Sequence, residues 1–332
     1  MAQGGEFQVN TTTLGDQSNA TVAMDANGNF VVTWTDSGQD GGGDGVYAQR
    51  YNAAGVGQGV EFRVNTTTVD NQNKATVAMD GAGDFVVTWT SFGQDNADGL
   101  SGVYAQRYNA AGVTQGGEFQ VNTTTVSNQN NATVAMDGAG DFVVTWTSYG
   151  QDNADGLSGV YAQRYNAAGV KQGGEFRVNT NTQGYQFSST VAMDDAGDFV
   201  VTWTSYGLGQ DGDGDGVYAQ RYNAAGVKQG GEFQVNTYTA ANQLSSTVAM
   251  DGAGNFAVTW SSALQDGSGF GVYARRYNAA GVVQGGEFQV NTFTAGSQIY
   301  SSVAMDTAGD FVVTWSSAYQ DGSNLGVYAQ RY

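Results

Sequence analysis

Apolar and polar positions alternate along this chain in short bursts, each a few residues long and bounded by Gly, Asn or Asp. In the first burst of this kind, Phe30, Val32 and Trp34 fall on one side of an extended backbone and Val31 and Thr33 on the other. Both sides are largely apolar, so a sheet built from them must be covered on two faces. Four bursts recur in order, residues 6–10, 21–25, 30–35 and 46–51 in the first copy, and their Val, Phe, Tyr, Thr and Trp content predicts strands. No segment carries a helical period long enough to compete. The pattern returns six times, each copy marked by one tryptophan: Trp34, Trp89, Trp146, Trp203, Trp260 and Trp315.

The connections predict how these strands join. Asp25-Ala26-Asn27-Gly28 and Asn52-Ala53-Ala54-Gly55 place Asp or Asn first and Gly fourth, the order of a type I turn leading into a glycine bulge. Both read as hairpins. From Trp to the Gly of the GVY motif the copies run 34→45, 89→102, 146→159, 203→216, 260→271 and 315→326, so length varies in one loop only. Copies two and three, residues 65–120 and 122–177, differ only at Asp70/Ser127, Lys74/Asn131, Phe92/Tyr149, Thr114/Lys171 and Gln120/Arg177, which suggests recent or deliberate duplication.

Six four-stranded sheets, apolar on both faces and without capping repeats, predict an all-β six-bladed β-propeller forming a single closed domain over residues 1–332. The expected blades are 17–65, 72–122, 129–179, 186–236, 243–291 and 298–332, the last completed by residues 5–10. On that reading the N-terminal strand pairs with the last blade and closes the ring, sparing residues 327–332 a bare sheet edge.

Composition then narrows the chemistry. There are 31 acidic and 12 basic residues, a formal net charge of −19, which excludes a phosphate-backbone binder. His, Cys and Pro are absent, so imidazole bases, thiol nucleophiles, disulfides and histidine-held metals are excluded. No run of about 18 apolar residues points to membrane insertion. A monomer is expected.

The order TVAMD, turn, FVVTW, loop, GVYAQRY, turn, EFQVN resembles the blade of NHL-type six-bladed propellers. It is also similar to repeats of large secreted bacterial exoproteins with hemolysin-type calcium-binding regions, a resemblance that implies an extracellular or cell-surface setting. The glycine-rich nonapeptide calcium repeats of those proteins are missing here.

In up-and-down blades the DxxG and NAAG turns share one rim, and the variable loops the other. The variable rim is the expected binding surface, since rigid scaffolds carry function on loops. It bears six Gln–Asp pairs: Gln39-Asp40, Gln94-Asp95, Gln151-Asp152, Gln210-Asp211, Gln265-Asp266 and Gln320-Asp321. A second repeated amide, Gln17, Gln72, Gln129, Gln186, Gln243 and Gln298, lies eight residues before each hairpin Asp. With Phe92, Tyr149, Tyr206 and Tyr319 beside them, these groups could hold a sugar by hydroxyl hydrogen bonds and ring stacking. The competing reading is that they satisfy loop backbone groups.

No cofactor is required, but Asp211, Asp213 and Asp215 have the alternation of a DxDxDG loop and suit calcium. Position twelve of that loop is Tyr222, not Glu, so it is not a complete EF-hand loop. The repeated Glu, as in Glu61, is expected to pair with the Arg of QRY, as in Arg50. No acid–base pair stands apart from the repeat. The sequence therefore reads as a non-enzymatic binding or scaffold module for a glycan or cell-surface protein. The alternatives are a structural or engineered repeat without ligand, or a calcium-dependent adhesion module.

Overall fold

Each copy of the repeat folds into one antiparallel sheet with its strands in sequence order. The computed structural model describes residues 5–95, 99–152, 156–207, 210–212 and 214–332. The first blade is β1 (Gln17–Met24), β2 (Phe30–Ser37), β3 (Asp44–Tyr51) and β4 (Phe62–Arg63), and the second is β5 (Gln72–Met79), β6 (Phe85–Phe92), β7 (Ser101–Tyr108) and β8 (Phe119–Gln120). The third is β9 (Gln129–Met136), β10 (Phe142–Tyr149), β11 (Ser158–Tyr165) and β12 (Phe176–Arg177); the fourth is β13 (Tyr185–Met193), β14 (Phe199–Tyr206), β15 (Asp215–Tyr222) and β16 (Phe233–Gln234). The fifth is β17 (Gln243–Met250), β18 (Phe256–Ala263), β19 (Phe270–Tyr277) and β20 (Phe288–Gln289), and the sixth is β21 (Gln298–Met305), β22 (Phe311–Ala318) and β23 (Leu325–Arg331). The fold is all-β, six propeller blades with no helix among the described residues. Accordingly, none is long and apolar enough to cross a membrane.

The hairpins form as their residues dictate. Gly28 N–H donates to Asp25 C=O at 3.1 Å, Gly28 takes φ 83°, and Asp25 Oδ1 accepts the N–H groups of Asn27 and Asn29. The NAAG turn repeats this with Gly55 N–H on Asn52 C=O at 2.8 Å. Two features go beyond the sequence pattern. The first strand of each blade starts earlier than expected and carries a bulge, with Asn19, Lys74, Asn131, Ser188, Ser245 and Tyr300 at positive φ. The fourth strand keeps only two paired residues, and the Asn after it continues the contact through its side chain: Asn65 Oδ1 accepts from Val46 N–H at 2.8 Å and Nδ2 donates to Thr67 C=O at 2.6 Å.

The chain divides into two compact units, Met1–Tyr149 with Ala162–Phe176, and Gly150–Tyr161 with Arg177–Tyr332. In the first unit, Val31, Val46 and Ala48 of blade one pack on Phe85, Val87 and Trp89 of blade two. In the second, Val200, Val217 and Ala219 of blade four meet Phe256, Val258 and Trp260 of blade five, and Ala257, Val272 and Ala274 of blade five meet Phe311, Val313 and Trp315 of blade six. The two-faced alternation is therefore the core within each unit: one face of a blade packs on the Phe–Val–Trp face of the next in blades one and two, four and five, and five and six. Turn carbonyls complete these seams, since Arg50 donates to Ala110 and Ala111 of the next blade at 2.5 and 2.6 Å.

Two expectations are corrected here. Arg50 is spent on those carbonyls, and Glu61 instead accepts from Thr11 N–H at 2.6 Å and Thr11 Oγ1 at 2.9 Å, so the Arg–Glu pair does not form. The strand expected over residues 5–10 is also not formed: these residues lie outside any strand, and the sixth sheet has three strands among the described residues.

Candidate functional site

The variable loops hold their polar residues in three tiers. In the innermost tier, Gln72, Gln129, Gln186, Gln243 and Gln298 are fully buried. Gln72 Nε2 donates to the carbonyls of Val69 and Asp70, and its Oε1 accepts from Asn65; Gln243 does the same with Ala240, Ala241 and Asn236. Gln17, half-buried, bonds Leu14 and Gly15 carbonyls and Asp36 Oδ2 at 3.0 Å. The five buried amides face loop groups at the bulged entry into each first strand, and Gln17 is half-buried there. Gln72 and Gln243 thereby saturate loop carbonyls that would otherwise be buried unpaired, whereas Gln129 keeps its own Nε2 buried and unbonded.

The second tier is the Gln–Asp pair. Gln39, Gln94 and Gln265 donate to Glu61, Glu118 and Glu287 at 2.9, 2.6 and 2.6 Å, and Gln210 makes the same bond to Glu232. Gln151 is likewise partnered, whereas Gln320 keeps a buried, unbonded Oε1. Asp95 and Asp152 each accept a tyrosine hydroxyl, from Tyr104 and Tyr161 at 2.7 Å, and an Asn amide at 2.9 Å. Asp40, Asp266 and Asp321 accept the N–H two residues ahead, from Gly42, Ser268 and Ser323. Most of this tier is loop architecture.

Blade four departs from that pattern. Asp211 follows its Trp by eight residues instead of six, because the two extra residues of this loop precede the Gln–Asp pair, whereas in blades two and three they follow it (95→102 and 152→159 against 211→216). Asp211 and Asp215 are each only 7 % exposed. Asp211 Oδ1 accepts from Asn236 Nδ2 at 3.1 Å and from Gln234 Nε2, while Asp211 Oδ2, Asp215 Oδ1 and the Tyr218 hydroxyl are buried without a partner. Burial, reinforced by the charge of Asp215, pushes the Asp211 carboxyl up to about 6, against the smaller opposing effect of the Asn236 bond. Burial also raises Asp215, and raises Tyr218 with help from the Asp211 and Glu232 charges. Two carboxyls and a phenol are thus buried close enough for their charges to act on one another, and each is pushed towards its neutral form.

The third tier is aromatic. Tyr206 is 50 % exposed, pairs across the strands with Asp215, and lies 6.1 Å from the ring of Tyr185, itself exposed. This sets the exposed Tyr206 ring opposite Asp215 across the strands, with Tyr185 beside it. Phe92 and Tyr149 are half-buried. Tyr319 is exposed in blade six at φ 63°, a conformation that ordinarily favours glycine. Of the proposed calcium ligands, Asp211 and Asp215 come together and Asp213 lies outside the described residues; no group of three or more acidic residues suited to a metal occurs among the described residues. Tyr185 and Tyr218 are not among the candidate site residues of the repeat pattern, and Glu232 is expected there only as the partner of an Arg. The displaced Gln–Asp pair is the signal in the sequence that points to them.

On the opposite rim, two clefts lined by Asp25, Arg50, Tyr51 and Met79 and by Asp251, Arg276, Tyr277 and Met305 follow the seams between blades. In the first, Arg50 already serves the turn carbonyls.

No protein-family model and no curated protein matches this chain. Solved structures do. The chain is similar over 95 % of its length to 93 % of a protein of unknown function from Dyadobacter fermentans, with a TM-score of 0.62 and 11 % identity. It is similar over 94 % of its length to 92 % of an α-L-arabinofuranosidase from Fusarium graminearum in complex with an iminosugar inhibitor, with a TM-score of 0.59 and 12 % identity. It is also similar over 95 % of its length to 85 % of an ulvan lyase, a polysaccharide lyase, with a TM-score of 0.54 and 11 % identity. At these identities the likeness shows the propeller fold. It also corrects the expectation of a non-enzymatic module and the NHL-like assignment: these neighbours include glycoside hydrolase and polysaccharide lyase propellers, not NHL or hemolysin-type repeats.

Proposed function

We propose that the chain is a carbohydrate-active enzyme whose reacting groups lie in the fourth blade. The observation that carries this reading is the buried Asp211–Asp215 pair with its unbonded oxygens, Asp215 lying opposite the exposed Tyr206 across the strands. A carboxyl that titrates near 6 holds a proton at mildly acidic pH and can give it to a glycosidic oxygen. A second buried carboxyl, close enough to act on the first, supplies the negative charge that an oxocarbenium-like transition state requires. The tyrosine faces suit a sugar ring, which stacks on them while its hydroxyls reach the loop amides. Two of the similar propellers act on an arabinofuranoside and on ulvan, which supports testing those glycans first.

The assay is release of reducing or unsaturated ends from arabinan, ulvan and a panel of other polysaccharides between pH 4 and 8. Asp211→Asn is expected to lower the turnover at least about 100-fold, whereas Tyr206→Ala raises KM more than it lowers kcat. Turnover by Asp211→Asn equal to wild type removes the pair from the reaction. A second reading places a hard cation on the same two unbonded oxygens, and it is read in the same assay with EDTA and with added calcium chloride.

A further inference from the structure

The third residue of the first DxxG turn stands apart from its counterparts. Blade one reads Asp25-Ala26-Asn27-Gly28, whereas the other five turns carry alanine at that place: Ala82, Ala139, Ala196, Ala253 and Ala308. The turn asks nothing of this side chain. In all six copies the backbone N–H of the residue donates to Oδ1 of the turn's Asp, Asn27 on Asp25 at 2.8 Å and the alanines at 2.9 to 3.0 Å. Asn27 is exposed at the rim cleft lined by Asp25 and Arg50, and its carboxamide meets no hydrogen-bond partner among the described residues. Gly28 follows it, and this is the single Asn–Gly step in the sequence. Gly28 has no Cβ to crowd its nitrogen. The bond that occupies its N–H, to Asp25 C=O at 3.1 Å, is longer than the 2.7 to 2.8 Å of the equivalent bonds in the NAAG turns.

We propose that Asn27–Gly28 is a site of spontaneous deamidation and backbone isomerisation. The Gly28 nitrogen attacks Asn27 Cγ: an N–Cγ bond forms, the Cγ–Nδ2 bond breaks, and the amide nitrogen leaves as ammonia with the proton that Gly28 gives up. Water then opens the resulting succinimide at one of its two carbonyls, leaving either an aspartyl residue or an isoaspartyl residue whose main chain runs through Cγ. Water is the only co-reactant. Asparagine is among the thermolabile residues, and exposed loop tips are where such change concentrates. The isoaspartyl product lengthens the main chain of the turn by one carbon, and the turn is closed tightly. Asp25 N–H donates to Asn29 C=O at 2.8 Å, Asn29 N–H to Asp25 Oδ1 at 2.9 Å, and Ala53 N–H to Asn29 Oδ1 at 3.2 Å. A longer main chain cannot keep all three bonds, so the β1–β2 hairpin loosens at this end and weakens its tie to the NAAG turn. Either product also sets a new carboxylate two residues from Asp25, in a chain whose formal charge is already −19.

The test is ageing of the full chain in mildly alkaline buffer, followed by proteolysis, separation of isomers and mass spectrometry. The peptide holding residue 27 is expected to gain about 1 Da and to split into aspartyl and isoaspartyl forms, ahead of every peptide whose asparagines precede other residues. Asn27→Ala, which installs the residue that the other five turns use, should fold with the wild-type thermal profile and show no gain at that peptide. Aged wild type should lose more of its melting temperature than aged Asn27→Ala. A residue-27 peptide without the mass gain overturns the inference, as does one that gains it no faster than the other asparagines. Equal losses of melting temperature in the two proteins overturn the loosening of the hairpin.

Discussion

Trp260→Ala is expected to cost about 3 to 5 kcal/mol of unfolding free energy, the range for removing a large buried aromatic. Trp260 is fully buried between Val200, Val217 and Ala219 of the blade before it and Tyr273 of its own sheet, so truncation opens a cavity that two stiff sheets cannot collapse to fill. Its indole N–H has no partner, which gives a control: Trp260→Phe forfeits packing but strands no hydrogen bond, and it should cost less than half as much. Guanidinium denaturation followed by tyrosine and tryptophan fluorescence measures both. Equal losses for the two variants would mean that the indole nitrogen, not the ring volume, carries the stability.

The second large effect concerns a residue whose removal should stabilise. The folded-state pKa of Asp211 is raised to about 6 from an ordinary 3.8. A raised carboxyl contributes stability that is fully present below the unfolded value and is lost as pH climbs through the folded value. Wild type is therefore expected to lose on the order of 2 to 3 kcal/mol between pH 4 and pH 7, and Asp211→Asn, which carries no charge there, should keep it. The melting temperatures of the two proteins should converge below pH 4 and separate above pH 6, with the variant the more stable. Paired with the loss of turnover, this is the exchange of stability for activity expected of a reacting group. Convergence at all pH values would place Asp211 in water.

Much of the architecture is legible in six tryptophans and two turn motifs. Alternation of Phe30, Val32 and Trp34 against Val31 specified two-faced packing, and the hairpin Asp and Gly specified the turns, because both are local properties of a backbone with period two. Partners chosen across blades were not legible. Glu61 and Arg50 look complementary along the chain, yet Glu61 finds Thr11 and Arg50 finds Ala110, since the seam between blades brings those groups nearer than the hairpin does.

The carboxyl pair was half legible. Asp211 and Asp215 stood out as oxygen-rich spacing for a cation, and their chemistry emerged only when burial and the unbonded oxygens were in place. Six-fold repetition hid the exception, because the copies were compared by residue type while the two-residue shift of Gln210-Asp211 within its loop changes what the aspartate meets. In blades two and three a tyrosine hydroxyl satisfies it; in blade four Tyr218 keeps its hydroxyl unbonded beside it.

Carboxyl-carbon NMR titration of the aspartate-labelled chain tests the claim that blade four breaks the repeat chemically. One aspartate resonance is predicted to titrate with a midpoint of about 6 and to vanish in Asp211→Asn. A spectrum in which the resonance lost on that substitution titrates in the ordinary carboxylate range would contradict it.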